Sequence, residues 1–182
     1  MTAGEPPPHR PPSTAHPAPA VRSVADVRPH YIGDNREVKL AVLAGPGDGC
    51  DTTVVFEIWE PGGSQPDNAH HASSETFVVL RGTARAYSDE HVAELRAGSV
   101  IVLPPASVHR IENTSPTDRL YTLTVMEHDG GFADLIAGGP PALLDAADLA
   151  VLGAVLPAGG PPHHHLAAPP PSRTTDLAAP PT

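Results

Sequence analysis

The sequence predicts an all-β domain in which antiparallel strands form a sandwich or a barrel. Short runs of apolar and β-branched residues recur at close spacing, and turn-forming Gly, Pro, Asn and Asp separate them. Eight such runs fit into roughly 90 residues with no helical period between them, which is typical of antiparallel sandwiches and barrels. The strand pattern alone does not choose between these two architectures.

Each strand is predicted from its own run of residues. The predicted strands are Val38–Leu43, Thr53–Trp59, Thr76–Arg81, Thr83–Tyr87, Val92–Leu95, Ser99–Leu103, His109–Glu112 and Leu120–Met126. In the strand 53–59, side chains alternate between two faces, and we expect Phe56 and Ile58 to face the interior. After the last strand, Phe132, Leu135 and Ile136 recur at helical spacing, which predicts one or two short helices on the outside of the β domain.

Proline divides the chain into segments. Seven of the 24 prolines fall within the first 20 residues, and ten fall at or after Pro140. Segments rich in Ala, Pro and Gly bury too little apolar surface to offset their ordering entropy. We therefore expect a disordered Pro-rich tail at 1–23, the β domain at 24–128, a short helical extension at 129–155 and a disordered Ala- and Pro-rich tail at 156–182.

The charge balance restricts the partners. Twenty-one acidic residues against eleven basic ones give a formal net charge of −10, which argues against nucleic acid or an anionic membrane as a partner. No apolar stretch approaches membrane-spanning length, and the first residues lack the apolar region of a secretory signal. Together with the single cysteine, Cys50, these features predict a cytoplasmic protein.

Two motifs lie among the predicted strands. The first is P-G-G-S-Q-P-D-N-A-H-H-A-S-S-E-T-F-V-V-L-R-G at residues 61–82, and the second is G-S-V-I-V-L-P-P-A-S-V-H-R-I-E-N at residues 98–113. Together they resemble the paired motifs of the cupin superfamily. Glu75 and Gly82 keep the spacing of the first motif, and the second is matched at Gly98, Pro104, His109 and Asn113, with Ala106 where the family usually has glycine. The resemblance implies that the strands close into a small antiparallel β-barrel or jelly roll.

The resemblance also implies a metal site, with one departure from the family pattern. The His-x-His positions of the first motif fall on Asn68 and His70 in one register and on Ala69 and His71 in the other. We favour the first register, because asparagine offers a carbonyl oxygen whereas alanine offers no ligand atom. The implied ligands are His70, Glu75 and His109, with Asn68 as a weak fourth ligand or a supporting group.

Strand geometry and ligand chemistry agree with such a site. Residues two apart on a strand share a face, and a barrel mouth lets ligands from separate strands converge. Imidazole and carboxylate ligands suit a divalent transition metal ion (Fe, Mn, Ni, Cu or Zn) rather than Ca or Mg. Glu75 is in addition the candidate catalytic proton acceptor. The alternative is that His70 and His71 are solvated loop residues, and some members of the family have lost their metal.

Dioxygenase-like chemistry at a non-haem metal is the function that this ligand set favours. Two alternatives stay open: a non-catalytic cupin that binds a small metabolite, and a metal-assisted isomerase, cyclase or lyase. The tract His163–His165 lies between prolines, and we expect adventitious metal binding there at most. A homodimer is also compatible with the family, with Val38–Leu43 as an edge strand.

Overall fold

Nine β-strands and two short α-helices occupy the part of the chain that the computed structural model describes, residues 18–33 and 35–153. The strands are β1 (His30–Ile32), β2 (Val38–Ala44), β3 (Thr53–Trp59), β4 (Glu75–Arg81), β5 (Thr83–Ser88), β6 (His91–Arg96), β7 (Val100–Leu103), β8 (His109–Asn113) and β9 (Leu120–Met126), and the helices are α1 (Phe132–Ala137) and α2 (Ala146–Val151). The eight predicted strands are confirmed, and the structure contains one further strand, β1, that was not predicted. Most of both predicted tails, with His163–His165, lies outside the described residues.

The strands form two antiparallel sheets. One has the order β1-β2-β3-β9-β4-β7, and the other has the order β6-β5-β8. Because β2 pairs with β1 on one side and with β3 on the other, the expectation that Val38–Leu43 is an edge strand is wrong. The three-residue strand β1 takes the outer position, and its Tyr31 N–H donates to the Pro140 carbonyl at 2.8 Å.

The barrel interior contains the face of β3 opposite to the one that we expected. Val55 and Trp59 lie in the interior cluster with Phe77, and Glu57 alternates with Phe56 and so shares their face. Phe56 and Ile58 belong to a second cluster on the outside of the sheet. The expectation failed because every residue from Val55 to Trp59 is buried, so that hydrophobicity does not distinguish the two faces.

The two helices cover different parts of the barrel. α2 and the adjoining residues cover the outer cluster, where Leu144, Val151 and Leu152 pack against Phe56, Ile58 and their neighbours. α1 contributes Phe132 and Ile136 to the interior cluster. None of the helices in the described part of the chain is long and apolar enough to cross a membrane.

Candidate metal centre

The structure brings together three of the four predicted ligands in one compact group. His109 begins β8 and Glu75 begins β4, and both are buried, with 2% and 4% of their surface exposed. His70 lies in the loop before β4, and its Nε2 is 3.7 Å from Glu75 Oε2. His109 Nε2 is 3.0 Å from the same oxygen, and one ligand atom from each residue lies within 4.8 Å of the others.

The turn before β8 positions both histidines. Ala106 has a φ of 66°, in the left-handed region, where the cupin motif usually has glycine. A side chain in this conformation costs roughly 1–2 kcal/mol. The turn compensates with contacts to the site, since the Ala106 N–H donates to the His70 carbonyl at 2.8 Å and the Ser107 carbonyl lies 3.0 Å from His109 Nδ1.

The hydrogen bond to Ser107 determines which nitrogen of His109 faces the site. A carbonyl oxygen only accepts, so Nδ1 carries a hydrogen, and in the neutral ring the lone pair of Nε2 faces Glu75. Two acceptors 3.0 Å apart need a cation between them, either a proton or a metal ion. Burial lowers the pKa of His109, but the hydrogen bond to Glu75 and its negative charge outweigh burial and raise the pKa overall. The group therefore attracts positive charge.

The electrostatic surroundings of His70 favour the neutral imidazole, which is the protonation state that binds a metal ion. Burial lowers the pKa of His70, and the neighbouring His109 lowers it further, against the opposing charge of Glu75. The neutral imidazole that results has a lone pair free for coordination. Its ring centroid lies 5.7 Å from that of His109 and 5.8 Å from that of Phe132. His71 is exposed and takes no part in the group, which agrees with the Asn68/His70 register.

Asn68 lies beside His109 through backbone pairing. The Asn68 N–H donates to the His109 carbonyl at 3.0 Å, and the His109 N–H donates to the Asn68 carbonyl at 2.8 Å. Asn68 Oδ1 is buried and has no hydrogen-bond partner among the described residues. Such an oxygen is costly unless a cation or a ligand donor meets it, and Asn68 lines the same cavity as His70 and Glu75. The residues present therefore fit a bound divalent ion.

Sequence reasoning missed Glu57, a second acid inside the barrel. Glu57 is 1% exposed, and its Oε2 accepts a hydrogen bond from Thr122 Oγ1 at 3.0 Å. Burial, helped by the negative charge of Glu75, raises the pKa of Glu57 to about 8. The sequence does contain a signal for Glu57, because this acid stands in the middle of the apolar run V-V-F-E-I-W. Assigning Phe56 and Ile58 to the interior placed Glu57 on the outer face, and so its significance was overlooked.

A cavity of about 270 Å³ opens onto the metal centre. Its lining consists of Ile32, Leu40, Gln65, Pro66, Asp67, Asn68, His70, Glu75, Phe132 and Leu135. Sequence reasoning did not identify the apolar members of this set. Arg110 and Tyr87 do not line this cavity, and the Arg110 guanidinium lies 3.8 Å over the Tyr87 ring.

Comparisons with known proteins agree with this fold. Residues 55–126 match the family described as the cupin domain, and no curated protein matches the chain. A predicted oxalate decarboxylase from Thermotoga maritima is 22% identical with a TM-score of 0.54, covering 60% of this chain and 99% of that one. A cupin sugar phosphate isomerase from Silicibacter pomeroyi is 17% identical with a TM-score of 0.46, covering 50% of this chain and 60% of that one. At these identities the likeness to solved structures concerns the fold, and the family match identifies residues 55–126 as a cupin domain.

Proposed function

We propose that this protein is a metal-dependent cupin that acts on a small molecule. His70, Glu75 and His109 hold a divalent transition metal ion (Fe, Mn, Ni, Cu or Zn), and Asn68 supports them as a weak fourth ligand. One observation carries the proposal: His109 Nε2 and Glu75 Oε2 face each other at 3.0 Å while His109 Nδ1 is committed to Ser107. This arrangement resembles the way that metal-binding histidines are oriented by a hydrogen bond from the other ring nitrogen.

Dioxygenase-like chemistry is the reaction class that we favour. Two histidines and one carboxylate form the ligand set of non-haem iron oxygenases, in which the ion acts as a Lewis acid with open positions for substrate oxygens. The chain's own residues prepare the site: the Ser107 carbonyl orients His109, and Phe132 lies against His70. Glu75, buried beside both imidazoles, is placed to accept a proton from a bound substrate.

Elemental analysis of the untagged full chain tests the metal site. The tract His163–His165 is first replaced by serine, since it could bind metal on its own. We expect about one transition metal ion per chain, and we expect His109→Ala to lose it because the buried nitrogen ligand is removed. Glu75→Gln, which preserves side-chain shape, should also lose most of the metal.

His71→Ala is the matched control, because His71 neighbours His70 in sequence but is exposed and outside the group. It should retain the metal content of the parent protein. A parent protein that folds without metal, or a folded His109→Ala variant with full metal content, would contradict the proposal. Circular dichroism establishes that each variant is folded.

Non-catalytic binding of a small metabolite is the second candidate. The presence of Asn68 at a position where the family pattern has histidine favours it, because one imidazole ligand is missing. A thermal shift with a ligand in metal-free protein, without turnover in the metal-loaded protein, would favour this function. Activity that persists without oxygen would instead indicate isomerase, cyclase or lyase chemistry.

A further inference from the structure

The lining of the cavity at the metal centre is divided by chemistry. Asn68, His70 and Glu75 contribute polar groups at the metal centre, whereas four apolar side chains, called the apolar wall here, form much of the remaining lining. The apolar wall consists of Ile32, Leu40, Phe132 and Leu135. These four residues come from β1, β2 and α1, and all lie outside the matched cupin domain at 55–126. The family match therefore does not include the apolar wall.

The basic side chain that lines the cavity in the described part of the chain is that of His70, which we assign to the metal ion. Among the described residues, no lysine or arginine lines it, and its acidic members are Asp67 and Glu75. Arg110 does not line the cavity, and its guanidinium donates to Asp67 at 3.2 Å and to Glu112 at 3.0 Å. Phosphate and carboxylate groups are usually recognised by Arg or Lys. A ligand with a second anionic group would find no partner for it here.

Leu135 marks the mouth of the cavity. It lines the cavity although it is 61% exposed, so a ligand that fills the space would cover a large apolar side chain that water now contacts. Covering such a side chain contributes about 25 cal/mol for each Å² of apolar surface. The volume of about 270 Å³ lies just below the range of about 300–1,000 Å³ that is typical of pockets for drug-sized ligands, which suits a small molecule.

We infer that the site takes a small molecule with one metal-chelating oxygen group and an uncharged apolar body, and that it disfavours dicarboxylates and sugar phosphates. The inference rests on the metal site proposed above. The chelating group meets the ion at the metal centre, and the body lies against Leu40, Phe132 and Leu135. The apolar wall and the lack of a lysine or arginine among the described lining residues are the two observations that select this class.

Calorimetric titration of the zinc-loaded full chain, with His163–His165 replaced, tests the ligand class. Benzohydroxamic acid and acetohydroxamic acid share a chelating group and differ in the body, and oxalate represents a dianion. We expect benzohydroxamic acid to bind about tenfold more tightly than acetohydroxamic acid, because its ring is removed from water.

Leu135→Arg adds the missing cation at the mouth of the cavity. It should strengthen oxalate binding about tenfold. It should also reduce, about tenfold, the ratio of the affinity for benzohydroxamic acid to that for acetohydroxamic acid. Leu143→Arg is the matched control, since Leu143 is 85% exposed and does not line this cavity. It should change neither affinity.

Zinc content, measured separately, distinguishes the two proposals. Protein that holds zinc but binds both hydroxamic acids equally, or whose oxalate affinity responds equally to both arginine substitutions, would overturn the inferred ligand class and leave the metal site intact. Protein that takes up no zinc would overturn the metal site, and with it the ligand class that depends on it.

Discussion

Glu57 shows how a single buried residue links stability to pH. Its folded pKa of about 8 lies above its ordinary value of 4.5, so between these limits the folded state binds more protons than the unfolded state. The stability that this group contributes is fully present below about pH 4.5 and is lost as pH rises through about 8. Metal-free protein should therefore lose stability across this interval.

Glu57→Gln should remove that loss. Glutamine keeps an oxygen that accepts from Thr122 Oγ1 but does not titrate. At pH 8 we expect the variant to exceed the parent in free energy of unfolding by a few kcal/mol, given ~1.4 kcal/mol per pKa unit, whereas at pH 5 the two should be similar. Urea titrations between pH 5 and 8 measure this difference. Glu90→Gln, at an 82% exposed side chain, should follow the parent, and a Glu57→Gln profile parallel to the parent would contradict the argument.

The individual site residues differ in how far the sequence could predict them. Glu75 and His109 could be predicted, because their places depend on fixed spacings from glycine and proline that can be read directly from the chain. Leu40 and Phe132 could not, since they are ordinary apolar residues and only the packing of β2 and α1 brings them to the cavity. Glu57 was missed because both faces of β3 are buried, which removes the alternation that identifies an interior face.

At the level of elements, buried charges attach α2 to the barrel. Asp148 of α2 is fully buried, and its Oδ2 accepts from Lys39 Nζ at 2.8 Å. Its Oδ1 accepts from Arg119 Nη1 at 3.0 Å and from the Tyr121 hydroxyl at 3.3 Å. Removing one partner of a buried ion pair typically costs about 3–5 kcal/mol, because the other charge stays desolvated.

Asp148→Ala should therefore destabilise the protein by about 3–5 kcal/mol and release α2. Urea unfolding measures the first effect, and hydrogen exchange of the α2 amides measures the second. Adding Lys39→Met should recover part of the loss, because it removes a buried charge whose remaining ionic contact is the long one to Glu60, at 3.9 Å. Asp134→Ala, at an exposed acid of α1, is the control and should change stability by less than about 0.5 kcal/mol. If Asp148→Ala behaves like this control, the ion pairs do not hold α2.

The long strands were predictable as elements, and the short additions were not. β3 and β9 are seven-residue runs rich in β-branched and aromatic residues, so local preference and tertiary position agree. β1 is His-Tyr-Ile, too short to give a periodic signal, and its pairing depends on β2 and on the segment near Pro140. Because β1 was not predicted, the strand that pairs with the outer side of Val38–Leu43 was missing from the expectation.

At the scale of the whole molecule, the folded unit extends beyond the cupin domain that the family comparison identifies. The match spans residues 55–126, yet β1, β2 and both helices lie outside it. Phe132 and Ile136 belong to the interior cluster, and residues at and beside α2 cover Phe56 and Ile58. The described part of the predicted extension, residues 129–153, was expected only as short helices on the outside, and it completes both apolar clusters.

Two shortened chains test whether the folded unit needs the proline-rich tails and whether it needs the two helices. A chain of residues 18–153 should melt within about 3 °C of the full chain, which corresponds to ~1 kcal/mol, because it keeps every contact described above.

A chain of residues 18–128 should not fold stably. It loses Phe132, Ile136 and Leu149, each contributing about 1.5–3 kcal/mol of apolar burial, against a total stability of about 5–15 kcal/mol. Thermal melts by circular dichroism measure both. A cooperative transition near the parent temperature for residues 18–128 would show that the helices are dispensable, and a large loss for residues 18–153 would show that the tails contribute to the fold.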